Sequence, residues 1–204
     1  DYLTPEIKVV MFDLGGVLVD LNQDACVREF EKLGVENILD YISKYVQNGL
    51  FLELERGTVS PSDFFERVRT EFGILSASDE AIRFAWNAFL VSISKEKLSL
   101  IKELKRQYRV ILLSNTNFIH WEDWVMKEFS RLGFSVEDCF DELYLSYKMH
   151  LAKPEKEIFQ KVLDLEGVEA SSILFLDDGE KNIQMATQLG FCTYHVKEHE
   201  MFER

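Results

Sequence analysis

The stretch Val9–Leu21, VVMFDLGGVLVDL, decides the fold. Four strand-forming residues lead to a carboxylate, Asp13, and the chain then passes through two glycines, Gly15 and Gly16. Two readings fit this stretch taken alone. Asp at a strand end caps the turn that follows. Alternatively, the strand delivers a nucleophile or metal ligand to the edge of a sheet, and the glycines let a ligand approach the backbone.

Working outward, short apolar runs alternate with helical patterns. Ile7–Phe12, Arg109–Leu113, Leu143–Leu145, Ile173–Leu176 and Cys192–His195 read as strands. Their β-branched, nearly continuous hydrophobicity suits strands covered on both faces. Lys95–Gln107, Trp121–Leu132, Pro154–Glu166 and Glu180–Leu189 carry helical spacing, with Pro154 placed for a first helical turn and Gly190 for a helix end. This alternation implies an α/β fold: a Rossmann-like parallel sheet of about five strands with helices on both faces.

Between the first two of these strands the pattern breaks. From Asn22 to Asn87 only helical periodicity is visible, over Asp24–Leu33, Glu36–Asn48, Pro61–Phe72 and Asp79–Ser92, with Ser60 and Ser78 as N-caps. An ordinary βα connection runs to a few residues. The stretch is therefore expected to be an all-helical subdomain, residues 22–87, inserted after the first strand into a core of residues 1–21 and 88–204.

Composition narrows the function. A formal net charge of −13 argues against a nucleic-acid or anionic-membrane surface, yet one local cation still admits a phosphorylated substrate. No run approaches the roughly 18 apolar residues of a membrane span. Cys26, Cys139 and Cys192 are odd in number and lack CxxC spacing, which fits a reducing cytoplasm rather than a disulfide framework or zinc site. His120, His150, His195 and His199 form no HExxH pattern.

The strand ends then converge. In a parallel sheet Asp13, Ser114, the Lys153 that precedes a helix, and the pair Asp177 and Asp178 all lie at the carboxyl edge, where open α/β sheets bind ligands. Asp13 and one of Asp177 and Asp178 suit Mg²⁺ as oxygen ligands. Lys153 and the metal would neutralise a transferring phosphoryl group, Ser114 would donate to it, and Asp13 would attack phosphorus. Such crowding of like charge itself calls for a compensating cation.

In order, FDLGGVLVD, ILLSNTN, KP and FLDDGEKN resemble the four motifs of the haloacid dehalogenase superfamily, in its phosphatase-type members with a helical cap. The resemblance spans Val9 to about Val196. It implies Asp13 as nucleophile and Mg²⁺ ligand, the Gly15 carbonyl as a second ligand and Asp178 as the acidic ligand of the last motif, with Asp177 supporting. It further implies Ser114, Asn115, Lys153 and Gly16 around the substrate phosphate, and Asn182 steadying the metal's waters. The implied activity is hydrolysis of a small phosphorylated metabolite through an aspartyl-phosphate, by a monomer or homodimer.

One position departs from the pattern. Where such phosphatases carry a second aspartate as general acid–base, this chain has Gly15. A leaving group that departs without much help, such as the anomeric oxygen of a hexose 1-phosphate, fits that loss. Members with a glycine here resemble a sugar-phosphatase subgroup. A 2-haloacid dehalogenase and a non-catalytic ligand binder are the alternatives, although adjacent acids at the last strand favour metal and phosphate. His120 is a possible stand-in acid. Glu53, Glu55 and Arg56 either meet sugar hydroxyls or form a solvated helix face, Trp121 either stacks on a sugar or packs, and Asp20 reads as a turn residue.

Overall fold

The structure is a computed structural model, described here over residues 2–45, 47–198 and 200–201; His199 lies outside these, as does Val46 of the expected Glu36–Asn48 helix. Five parallel strands form the main sheet: β1 (Val9–Phe12), β4 (Arg109–Ser114), β5 (Glu142–Leu145), β6 (Ile173–Asp177) and β7 (Cys192–His195), in the spatial order β5-β4-β1-β6-β7. The centre strand β1 alternates. Val9 and Met11 pack with Phe159, Val162 and Ala186 of helices α9 (Lys156–Glu166) and α10 (Glu180–Gln188), while Val10 and Phe12 pack with Leu98, Ile101 and Phe129 of α5 (Lys95–Leu104) and α6 (Met126–Arg131). Two buried faces explain the unbroken apolar run in the sequence.

A two-stranded antiparallel ribbon, β2 (Val19–Leu21) with β3 (Leu90–Ile93), carries the chain away from the core and back. Asp20, expected in a turn, is instead a ribbon residue whose carboxylate accepts from Ser92 Oγ at 3.2 Å. The expected Asp79–Ser92 helix likewise ends at Asn87, because Ala88 caps it and Leu90–Ile93 pair with β2. Sequence periodicity cannot see a partner strand so far away along the chain.

Between the ribbon strands lie α1 (Gln23–Lys32), α2 (Gly49–Arg56), α3 (Pro61–Glu71) and α4 (Asp79–Asn87). Ser60 and Ser78 accept from the Asp63 and Ala81 amides, as N-caps do. The segment expected as a helix over Glu36–Asn48 forms only a short helical turn at Ile38–Asp40. Ile38 and Ile42 mimic helical spacing because both enter the apolar cluster; the Lys44 amide instead donates to Gln23 Oε1 and the Asn48 amide to the Tyr41 carbonyl.

These helices share a cluster of their own, centred on Phe51, whose ring meets Phe30, Phe64, Phe72 and Trp86. Trp86 Nε1 donates to Asn117 Oδ1 at 3.1 Å, joining the cluster to the loop after β4. Among the described residues three ion pairs cross the same boundary, Lys44 to Glu198, Arg56 to Glu155 and Arg83 to Asp123. Beyond β4 the chain is wound as a π-helix over Ile119–Val125 before tightening into α6, where sequence spacing implied one regular helix from Trp121. The remaining short helices are α7 (Val136–Cys139) and α8 (Ser146–Met149). Among the described residues no helix is long and apolar enough to cross a membrane.

Phe51 is fully buried, so Phe51→Ala leaves a cavity ringed by aromatics. The expected cost is about 3–5 kcal/mol of unfolding free energy, read from urea denaturation followed by circular dichroism.

Candidate active site

Strand register brings the polar groups together. Phe12 pairs with Leu112 on one side and Leu176 on the other, so Asp13 and Asp177, each one residue further on, emerge at the same level of neighbouring strands. Asp13 is held there by its amide, which donates to the Leu176 carbonyl at 2.9 Å. Asp13, Asp177 and Asp178 each offer a carboxylate oxygen within 4.8 Å of the others.

Lys153 enters this cluster from the loop before α9. Its Nζ donates to Asp13 Oδ1 at 2.8 Å, Asp177 Oδ2 at 2.7 Å and the Leu113 carbonyl at 3.0 Å. An ammonium has three hydrogens, and all three are engaged. Lys153 also lines the cavity, so its charge lies where the phosphate is expected. Burial alone would lower the lysine's proton affinity, but the two carboxylates outweigh it and hold the ammonium charged.

Asn115, expected at the substrate, lines the cavity, and its Nδ2 donates to the Lys153 carbonyl while its Oδ1 accepts from the Lys153 amide, both at 2.9 Å. The side chain imitates a neighbouring strand and clamps the lysine's backbone. Pro154, expected in the first turn of the helix, lies before Glu155, the N-cap of α9; this short irregular stretch is what turns Lys153 inward.

Asp177 has no exposure and no lone pairs to spare. It accepts from Lys153, from the Gly179 amide at 2.7 Å and from Asn182 Nδ2 at 3.2 Å on each oxygen. Asn182 thus steadies the Asp177 carboxylate, and it also lines the cavity. Asp178 is the more open acid, and its carboxylate occupies the space a Cβ on Gly16 would need. Gly16, with φ of +81°, is accordingly the residue that lets Asp178 close on the turn after β1. In that turn the Leu14 carbonyl accepts from Val17, Leu18 and Val19, and the Gly16 amide donates to Val19; the Gly15 carbonyl accepts none of these bonds.

The donor set fits a hard divalent cation. Burial, then the Asp177 carboxylate, push Asp13 well above its usual range against the pull of Lys153, and burial followed by Asp177 raises Asp178. One ammonium does not balance three clustered carboxylates. Mg²⁺ takes oxygen ligands with one or two carboxylates and keeps places for water and phosphate. Asp13, Asp178 and the Gly15 carbonyl are the groups that would hold it.

The cavity above the cluster is lined from the core by Asp13, Ser114, Lys153 and Asp178, and from the helical segment by Lys44, Tyr45, Gln47 and Glu55. Ser114, at the end of β4, is buried. His120 also lines the cavity, but it stacks on Trp86 at 4.2 Å and bonds the Trp86 carbonyl at 2.9 Å through Nε2. Burial lowers it to about 4, so it is a neutral ring and not the substitute acid. Trp121 is packed in the core. Glu53 pairs with Arg67 and Arg56 with Glu155, both outward of the cavity lining.

Of Glu53, Glu55 and Arg56, expected either to meet sugar hydroxyls or to form a solvated face, Glu55 alone lines the cavity. It is only 7 % exposed. The signal was available: Phe51, Leu54 and Glu55 fall at i, i+3 and i+4, one stripe of a helix. Burial drives its carboxyl up to about 8, opposed by Lys153.

Residues 7–190 match the family model described as haloacid dehalogenase-like hydrolase. A D-ribitol-5-phosphate phosphatase of Bacteroides thetaiotaomicron is 39% identical over 191 residues, covering 92% of this chain and 91% of that protein. A crystal structure of a haloacid dehalogenase family enzyme from the same organism, an aspartate-to-alanine variant with magnesium and inorganic phosphate, superposes with a TM-score of 0.91 at 42% identity over 96% of each chain. A hydrolase of this type from Porphyromonas gingivalis gives 0.88 at 34% identity, covering 96% of this chain and 93% of its own. The chain belongs to the haloacid dehalogenase-like hydrolases. Within them it is a phosphatase-type member, a phosphoric monoester hydrolase.

Two comparisons test this description. Gly16→Ala would drive its methyl into Asp178 and should weaken Mg²⁺ binding at least about tenfold, roughly 1.4 kcal/mol, by calorimetric titration. Gly167→Ala shares the positive φ but meets nothing within 4 Å, and should leave Mg²⁺ binding as it is. The second test concerns Glu55, whose proton is held more tightly folded than unfolded. Its stabilising contribution is complete below the unfolded value near 4.5 and disappears as pH rises through about 8. Glu55→Gln should therefore gain stability relative to wild type across that window, read as a widening difference in urea midpoints.

Proposed function

We propose that this protein is a Mg²⁺-dependent phosphatase of a small sugar or sugar-alcohol phosphate, working through an aspartyl-phosphate on Asp13. The observation that carries the reading is Lys153, buried and fully bonded between Asp13 and Asp177 at the carboxyl edge of the sheet. A buried ion triad stabilises a fold poorly, since desolvation offsets most of its attraction. Its position beside a carboxylate cluster suits a site where negative charge arrives.

In this reading Asp13 attacks phosphorus with the oxygen not engaged by Lys153, while Lys153 opposes protonation of the carboxyl and fixes its direction. Ser114 donates to a phosphoryl oxygen. Asp178 and the Gly15 carbonyl hold Mg²⁺ with Asp13, and the bound ion supplies charge neutralisation to the phosphoryl group. Asp177 and Asn182 position the lysine and the turn. Residues 22–87 act as a cap that shuts water out of the cavity. The three cysteines are free, in keeping with a cytoplasmic enzyme, monomer or homodimer.

The substrate class rests on the cap side of the cavity. Gln47 Oε1 is buried there without a partner, and hydroxyl groups of a polyol chain would satisfy it. The relative named for D-ribitol 5-phosphate, a sugar-alcohol phosphate, supports the same class and moves a pentitol phosphate ahead of a hexose 1-phosphate.

Purified protein with p-nitrophenyl phosphate should release phosphate with Mg²⁺ and stop on addition of EDTA, and a panel of sugar and sugar-alcohol phosphates should rank the substrates. Asp13→Asn should lower turnover about 10⁴-fold or more, the scale seen when a catalytic nucleophile is removed, with an unchanged circular dichroism spectrum. A variant that keeps most of its activity means Asp13 is not the nucleophile.

A further inference from the structure

We infer that Glu55 is the general acid–base of the reaction, supplying from α2 the proton that Gly15 cannot. The inference rests on the phosphatase reading above and adds a catalytic residue to it. The Glu55 carboxyl is buried, lines the same cavity as Asp13, Ser114 and Lys153, and has no hydrogen-bond partner among the described residues. With no protein donor engaged, the carboxyl can bond what enters the cavity.

Its placement is firm. Leu54, one residue before, is buried in the helical cluster. One residue after, Arg56 pairs with Glu155, and the Arg56 carbonyl contacts His150 Nδ1 at 2.9 Å. Gly57 then lies so close to the Tyr147 carbonyl that a Cβ would overlap it, which docks the end of α2 on α8. The carboxyl is thus held over the site from both sides.

In-line displacement sets where the acid must stand. Asp13 approaches phosphorus from β1, so the leaving oxygen departs on the opposite side, toward the helical segment. The other polar groups facing the cavity from that side are Lys44, paired with Glu198 at 2.8 Å, the exposed Tyr45, and Gln47, whose amide cannot transfer a proton. From the core side, His120 is committed to the Trp86 carbonyl. Glu55 is left. As the Asp13–phosphorus bond forms and the phosphorus–oxygen bond to the leaving group breaks, Glu55 gives its proton to the departing alkoxide. The resulting carboxylate, attracted by the Lys153 charge, takes a proton from the water that attacks the phosphorus of the aspartyl-phosphate. Asp13 departs as carboxylate, phosphate leaves, and Glu55 is protonated again.

The test is leaving-group dependence. Wild type and Glu55→Gln, both with Mg²⁺, are compared by kcat/KM on p-nitrophenyl phosphate, phenyl phosphate and D-ribitol 5-phosphate. The variant's loss should grow as the leaving oxygen becomes more basic, reaching about 10²–10⁴-fold on the alkyl phosphate. Glu55→Ala should show the same trend and regain part of the lost rate with added formate. A loss equal on all three substrates, or none on the alkyl phosphate, overturns the assignment while Mg²⁺-dependent release by wild type leaves the phosphatase reading standing. Absence of release by wild type overturns both.

Discussion

Everything at the carboxyl edge depends on one buried cation. Lys153 sits among Asp13, Asp177 and the Leu113 carbonyl with almost no exposure. Removing one partner from such a cluster leaves an uncompensated charge in a low-dielectric interior, at a cost of about 3–5 kcal/mol. Replacing the whole cluster with apolar residues would cost the fold little by the same principle. The cluster is therefore read through what it does to Asp13. It pins one oxygen of Asp13, leaves the other unpinned by the lysine, and concentrates charge where a metal and a phosphate can be accommodated. Asn115 and Asn182 serve this arrangement from behind, one gripping the lysine's backbone and the other the carboxylate across from it.

The glycines belong to the same constraint. Gly16 leaves the space that Asp178 fills, and Gly57 leaves the space that the Tyr147 carbonyl fills. One allows the metal-side acid to fold over the first turn, and the other brings the helical segment down onto the core. Both sit at positive φ, so a side chain would be strained even if the neighbours withdrew. The site is closed from two directions by backbone that comes close only where a Cβ is absent.

Much of this was legible in the sequence, and the reasons for the rest are physical. The sheet strands could be read because continuous apolar runs have one explanation in an α/β protein, burial on both faces. The convergence of Asp13, Ser114, Lys153 and Asp178 followed from strand ends sharing an edge. The ribbon of Leu90–Ile93 with Val19–Leu21 was hidden, since pairing across an insertion leaves no local period. Partners were hidden as well. A sequence shows that Asn115 follows Ser114, but not that its amide is consumed by Lys153. It shows Glu55 between two charges, but the burial of only one of the three depends on how α2 docks.

Asp13 and Glu55 make the clearest contrast in the cavity. Both are buried carboxyls, and burial pushes both toward the protonated form. What separates them is the company each keeps. Asp13 takes hydrogen bonds from the Leu14 amide and from Lys153, and lies where a divalent cation would complete its neutralisation. Glu55 has the lysine's field but no donor, and stands on the far side of the cavity from the acids that would bind metal. With a divalent cation bound, an ionised carboxylate would be favoured at the attacking end and a protonated one at the leaving end. Pairs of acids divided in this way by their surroundings are how one site carries out nucleophilic attack and proton donation at the same pH. Here the division is between two structural layers: the sheet fixes the nucleophile, and the docking of α2 on the core fixes the acid.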